Sequence, residues 1–419
     1  MKKAIINIPS RLSPTSLIRK PYRSLLDGDP GYAAFDKETI NELLDQLSQR
    51  APILDPMAGY GSLLDACSRK GISSVSVEIS VPLYLWQLVR NPALSKSLTH
   101  IIDGLQKNKR DWPSALERAE VSDQWFVDDA LKILKRLVEM ASRFVPRYAL
   151  PEGQSIHALA AAVIIPFCGR LACCTQSSNN PTWVKKGGMV VFADWQSDFL
   201  IYLESLKAYL SDIIGYAVPG MIHSVILGDC RQIHPQEAPF RSMVTSPPYP
   251  NRMDYHAMFG PEISFCSALG FREIKPVPSD QIIGSTAVRN TVVRLPDSDS
   301  ARDFLDYVKN KSASLPGTVY DNKMYYYPYF ANYFSSLTDA YYNVADLLTA
   351  DFVGYIIVQN NFFRDREVPV SEVISEIWRN RGFQVEATDI KEVFHVGTKN
   401  PRSRGRKAKQ SLYTLRVTR

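Results

Sequence analysis

The sequence predicts an α/β protein, an open sheet with helices on both faces interrupted by a mostly helical insertion. Three observations carry that expectation. A strand–turn–helix–strand unit is built around DPMAGYG at residues 55–61. A second run of strands and turns begins at His223 and ends one strand in SPPY. Between the two, residues 91–220 carry helical rather than alternating periodicity.

In chain order, residues 36–48 form an amphipathic helix, with Asp36 as N-cap and Ile40, Leu43, Leu44 and Leu47 on one face. Residues 51–54 make a short apolar strand that runs into DPMAGYG. A helix through Leu63, Leu64 and Ala66 follows and stops at Gly71, and SSVSVEI is the next strand. The insertion shows helical spacing at Phe126, Ala130, Leu134 and Leu137, an apolar helix near 157–170, and the turn-rich link SSNNPTWVKKGG. Strands then resume as SVIL and SMVT, with GDCRQI between them. Residues 270–322, rich in Pro, Ser, Asp and Asn, predict a long surface excursion. A helix over 330–348, the strand FVGYIIVQ, the helix VSEVISEIWRNRG and the strands FQVEATDI and SLYTLRV complete the sheet. The expected organisation is residues 1–90 and 221–419 as the two parts of one catalytic domain, 91–220 as the insertion, and 397–410 as a basic tail.

Composition sets the outer bounds. Of 419 residues, 45% are hydrophobic and 22% charged, which excludes a disordered chain. A net charge of +6 is compatible with a polyanionic partner without requiring one. The cysteines (Cys67, Cys168, Cys173, Cys174, Cys230 and Cys266) form no CxxC pair and no Cys/His ligand spacing, so no metal site is predicted. The opening apolar run breaks at Pro9 and Arg11, and residues 159–167 fall short of a membrane span. A cytoplasmic protein with free thiols and no membrane partner is expected.

Chemistry concentrates in two segments. In DPMAGYG, Gly59 and Gly61 let the backbone approach a ligand and aim helix N-terminal N–H groups at its anionic end. Glu78 ends the next strand, where a carboxylate can accept hydrogen bonds from both hydroxyls of a ribose. A nucleoside-containing cofactor follows, although a structural tight turn or a nicotinamide site would look much the same. TSPPYPNRMDY, at residues 245–255, resolves part of that ambiguity. Its two prolines freeze an extended backbone with rigid carbonyl acceptors. The Ser246 hydroxyl and Pro247 carbonyl can accept from an exocyclic amino group, and Tyr249 offers a face for a base to stack on. The bland alternative is a proline-rich turn.

These segments resemble the S-adenosyl-L-methionine-dependent amino methyltransferases that act on DNA bases. DPMAGYG is similar to their first motif, Glu78 to their second-strand acid, TSPPY to their catalytic (D/N/S)PP(Y/F) motif, and GDCRQI, with Asp229, to the segment that holds the adenine of the cofactor. Met57 and Tyr60 depart from the usual Phe and Ser. The likeness covers residues 35–90 and 222–260 and does not extend to the insertion. It implies a Rossmann-like class I methyltransferase sheet. It also implies S-adenosyl-L-methionine held by Asp55, Pro56, Ala58, Gly59, Gly61, Glu78 and Asp229, and catalysis at Ser246, Pro247, Pro248 and Tyr249. The Ser form of the motif is most frequent among cytosine-N4 enzymes.

The expected function is therefore methyl transfer to the exocyclic amino group of a flipped base in duplex DNA, with cytosine N4 first. Adenine N6, an RNA base, and a non-catalytic DNA-binding subunit of a restriction or phage-defence complex stay open. Carbon-5 methylation lacks its Pro-Cys nucleophile, and nothing in TSPPY serves hydride transfer. Arg402, Arg404, Arg406, Lys407 and Lys409 of the tail are the expected phosphate contacts. Lys185 and Lys186 could also approach phosphates, and residues 31–35 (GYAAF) could close over the methionine end of the cofactor. The tyrosines Tyr325, Tyr326, Tyr327, Tyr329 and Tyr333 read first as an aromatic wedge against the core. His223, His234 and His256 receive no catalytic role.

Overall fold

In the computed structural model the structure describes residues 5–8, 37–47, 50–114, 116, 118–120, 124–146, 155–175, 182–183, 189–192, 194–250, 255–287, 294–310, 325–395 and 408–419. Seven strands make the main sheet: β1 (Ile53–Asp55), β2 (Ser74–Glu78), β3 (His223–Leu227), β4 (Phe240–Thr245), β5 (Leu348–Asn360), β6 (Gln384–His395) and β7 (Ala408–Thr418). Their order across the sheet is β6-β7-β5-β4-β1-β2-β3. All neighbours from β3 to β5 pair parallel, and β7 runs antiparallel between β5 and β6. This is the mixed, doubly wound α/β sheet of the Rossmann-like class that the sequence predicts.

β1 and β2 are buried along their whole length, as central parallel strands covered on both faces must be. Alternation along the strands sorts their side chains between the layers. Ile53, Val244, Tyr355 and Ile357 pack under α1 (Lys37–Leu47) and α2 (Ser62–Lys70), where Ile40, Leu43, Leu44 and Leu47 are buried. Leu54, Met243, Ile356 and Val358 face the opposite layer. α3 (Val81–Arg90) follows β2 and packs on β2 and β3.

Beyond α3 the chain builds α4 (Pro92–Lys107), α5 (Asp128–Arg143), α6 (Ile156–Cys168) and α7 (Trp195–Tyr216), which share one continuous apolar core with α3. α6 is apolar and buried from Ala158 to Cys168, and Arg170 just after it forms a buried ion pair with Asp198 of α7. Among the described residues no helix is long and apolar enough to cross a membrane. A small sheet beside these helices was not foreseen: Ile5–Ile8 pairs parallel with Met189–Phe192, which pairs antiparallel with Arg118–Glu120.

After β4 come α8 (Gly260–Leu269), α9 (Asp299–Asn310), α10 (Tyr327–Asp346) and, between β5 and β6, α11 (Val370–Asn380). α9 corrects the expected surface excursion over 270–322 for the stretch Asp299–Asn310; residues 288–293 and 311–322 lie outside the described residues. Its Ala301, Phe304, Leu305 and Val308 are buried against α10 and α11, and Ser298 holds its start by accepting a hydrogen bond from the Ala301 amide (3.1 Å). The local helical spacing outweighs the Pro, Ser and Asp residues around it. Tyr329 and Tyr333 are buried in the same layer, as the aromatic-wedge reading expects.

Candidate functional site

Chain direction away from the sheet centre reverses between β1 and β4, and in open α/β sheets the crevice at the C-terminal ends of such strands is where ligands bind. One cavity lies there. It is walled by the turns that follow β1, β2, β3 and β4, with Phe259, Ile282 and Ile283 added from the chain beyond β4.

The turn after β1 is shaped by its glycines. Gly59 (φ +52°) and Gly61 (φ +77°) both take left-handed backbone conformations, which side chains with a Cβ disfavour. A Cβ at Gly61 would stand 2.8 Å from Cγ of Gln87, whereas around Gly59 nothing would lie within 4 Å. Gly61 thus packs backward onto α3 while Gly59 leaves room toward the cavity. Tyr60 reaches across to donate a hydrogen bond to Met258 Sδ (3.8 Å) and meets Phe259 edge-on.

Of the predicted cofactor residues, Pro56, Ala58, Gly59, Glu78 and Asp229 line the cavity; Asp55 and Gly61 stand behind it. Glu78 accepts hydrogen bonds from the amides of Gly59 and Ser80, both at 2.7 Å, tying the first turn to the second. Burial nonetheless pushes its carboxyl up to about 7. Asp55 is 1% exposed. One of its oxygens accepts from the Thr245 hydroxyl (2.8 Å) and the Met57 amide (3.2 Å), joining the ends of β1 and β4. The other has no hydrogen-bond partner among the described residues, and burial raises this acid also to about 7. Asp229 differs from both, because Arg231 engages its two oxygens through Nε at 2.9 Å. That arginine stands in a neighbouring cleft, not on the cavity wall.

The predicted catalytic residues Ser246, Pro247, Pro248 and Tyr249 all reach the cavity. Their segment is braced from three sides. The Ser246 and Tyr249 hydroxyls are hydrogen-bonded to each other (2.8 Å), the Pro248 carbonyl accepts from the Tyr333 hydroxyl (2.8 Å), and Gly284 lies against the Pro248 ring. Tyr249 is 9% exposed, so its ring is more a wall than a free platform.

Sequence reasoning gave no individual role at the site to Thr245, Gln87, Tyr333, Phe259, Ile282 or Ile283. Only Thr245, next to the motif, carried a local signal; the rest arrive through tertiary packing. Arg402, Arg404, Arg406 and Lys407 lie outside the described residues, as do Lys185, Lys186 and residues 31–35, and Lys409 is placed only by its backbone on β7.

The described lining contains no lysine, arginine or histidine. With Asp229 paired to Arg231, Glu78 is the lining acid without a cationic partner, and a wall with no cationic side chain disfavours a ligand bearing several phosphates. S-adenosyl-L-methionine fits these residues: Gly59 leaves the open approach, and the Glu78 carboxyl stands at the cavity wall.

No family model and no curated protein matches this chain. Two structures of the rRNA methyltransferase aviRa from Streptomyces viridochromogenes align over 97% of this chain and 94% of that one, at 11% and 13% identity with TM-scores of 0.32 and 0.29. Likeness at that level carries no weight for the site, whose reading rests on its own geometry.

Proposed function

We propose that this chain is an S-adenosyl-L-methionine-dependent methyltransferase acting on the exocyclic amino group of a nucleic-acid base, foremost cytosine N4 of a base flipped out of duplex DNA. The observation that carries the proposal is that SPPY and the glycine turn wall one cavity whose described lining has two acids and no cationic side chain.

Glu78 would hold the ribose of the cofactor, Asp229 its adenine, and the 56–61 turn its methionine end. When bound, S-adenosyl-L-methionine supplies an electrophilic methyl group. The protein's own contribution is placement and polarisation. An exocyclic amino nitrogen is a weak nucleophile because its lone pair is delocalised into the ring. The Ser246 hydroxyl and the Pro247 carbonyl accept its two N–H groups, an interaction that strengthens as the nitrogen becomes tetrahedral. Tyr249, by holding the Ser246 hydroxyl, turns it toward one geometry, and Tyr333 fixes the same backbone through the Pro248 carbonyl. The tail cations Arg402, Arg404, Arg406, Lys407 and Lys409 are proposed as phosphate contacts, which would make affinity salt-dependent without choosing a sequence.

The test is to digest DNA and RNA from cells expressing the chain and quantify methylated nucleosides, alongside calorimetric titration with S-adenosyl-L-methionine. N4-methylcytosine in DNA is the expected product. N6-methyladenine, or methylated bases confined to RNA, would move the substrate within the same chemistry. No methylated base and no cofactor binding would sink the enzyme reading and leave a DNA-binding subunit.

A further inference from the structure

The glycine turn is held from one side by a single helical face. On α3, Gln87 and Arg90 are three residues apart and so project together. Gln87 Nε2 donates to the Gly59 carbonyl (2.8 Å), Arg90 Nη1 donates to the Tyr60 carbonyl (3.3 Å), and the Gln87 side chain fills the space a Cβ at Gly61 would need. Three successive residues of the turn therefore rest on two side chains.

Arg90 is buried, and its Nε donates to the hydroxyl of Tyr209 on α7, the last helix of the insertion (3.3 Å). Tyr209 also stacks on Trp86 of α3, with ring centroids 6.1 Å apart and planes 20° apart. Farther along α7, Tyr216 donates to Asp65 in the first turn of α2 (2.6 Å), and the Arg69 guanidinium lies 3.6 Å over the Tyr216 ring. The insertion thus touches the helices on both sides of the turn through polar contacts made by one of its elements. Burying a guanidinium is costly; here the charge of Asp65 offsets part of that cost, while the hydrogen-bond donors go to a turn carbonyl and a phenol hydroxyl.

We infer that Gln87 and Arg90 are positioning residues for the 59–61 turn and that Tyr209 of the insertion sets Arg90, so that the insertion tunes how well the turn is formed for its ligand. The ligand's identity rests on the methyltransferase proposal; the positioning does not.

Two measurements on the full chain test this separately. In hydrogen exchange without ligand, Tyr209→Phe, which keeps the stacking ring, is expected to speed exchange of the Gly59 and Gly61 amides about threefold to tenfold. Tyr202→Phe, on the same helix but bonded to the Val163 carbonyl inside the insertion (2.6 Å), is expected to leave those amides unchanged. In calorimetry with S-adenosyl-L-methionine, Tyr209→Phe should weaken binding by a similar factor, and Arg90→Lys by more. Equal protection of the Gly59 and Gly61 amides in wild type and Tyr209→Phe would overturn the inference whatever the ligand is. Faster exchange in Tyr209→Phe with no binding of S-adenosyl-L-methionine by the wild type would uphold the positioning and sink the cofactor assignment instead.

Discussion

Asp55 and Asp65 stand on either side of the glycine turn and meet opposite surroundings. Asp65 faces the insertion, where burial works to raise its pKa but the charge of Arg90, the Tyr216 hydroxyl and Arg69 outweigh it and hold the acid below its usual range. Asp55 faces the sheet's ligand edge, where burial meets only a threonine hydroxyl and one amide, and the acid is pushed up to about 7. Glu78 joins Asp55 on that side, also at about 7. The seam between insertion and sheet is charge-compensated within the protein. At the ligand edge Asp229 is, through Arg231, but Asp55 and Glu78 are not, and such unresolved burial of charge collects where a protein expects something from outside.

The contrast can be broken most severely at the ligand edge. Asp55→Ala and Glu78→Ala are each expected to weaken S-adenosyl-L-methionine at least about a hundredfold, equivalent to about 2.7 kcal/mol, with circular dichroism unchanged. Wild-type affinity in both would end the cofactor assignment. Ser246→Ala probes the same edge from the catalytic side: kcat should fall about tenfold to a hundredfold while the KM for DNA hardly moves, because the lost acceptor acts in the transition state. A defect cured entirely by more DNA would reduce SPPY to a rigid turn.

Stability sharpens the comparison further. Asp65→Asn should destabilise the protein by about 2 kcal/mol, since it strips partners from Arg90, Arg69 and Tyr216. Asp55→Asn at pH 8 should leave stability equal or higher, since it removes a carboxylate that burial opposes. Urea denaturation of the two variants checks the sign, and equal losses would erase the distinction. The smallest effect is the pH slope. A carboxylic acid whose folded pKa lies above its unfolded value binds protons more tightly when folded. Stability without ligand should therefore fall as pH rises from about 4 to 7, by at most about 1.4 kcal/mol per unit for each group. Cofactor affinity should rise over the same window as the acids become charged. A flat profile between pH 4 and 7 in wild type, unchanged in Asp55→Asn, would remove both acids from the account.

Much of the site was legible in the sequence because its residues are local. The strand, turn and helix at 53–70 are punctuated by Gly59, Gly61 and Gly71, whose left-handed conformations the chain cannot obtain cheaply elsewhere. Glu78, Asp229 and SPPY each end or follow a strand, and parallel pairing brings those ends to one edge. What stayed hidden depends on distance. Gln87 and Tyr333 serve turns through side chains far along the chain, and α9 was obscured by its polar flanks although its apolar spacing was present. The insertion carries neither motif, and the small sheet beside it joins strands too far apart for any local pattern to connect.

That small sheet carries a consequence for synthesis. Ile5–Ile8 pairs with Met189–Phe192, so the earlier of these segments is completed by one made long afterward. At elongation rates of about 5–20 residues per second, the nascent Ile5–Ile8 waits roughly 10–40 s for its partner. The main sheet imposes a similar delay, since β1 needs β4 beside it and β4 follows the whole insertion. Throughout that interval Ile5–Ile8 lacks the strand it pairs with, and β1 has β2 on one side and its other edge open. The protein's yield in a cell should therefore respond to elongation speed and to chaperones that shield nascent strands.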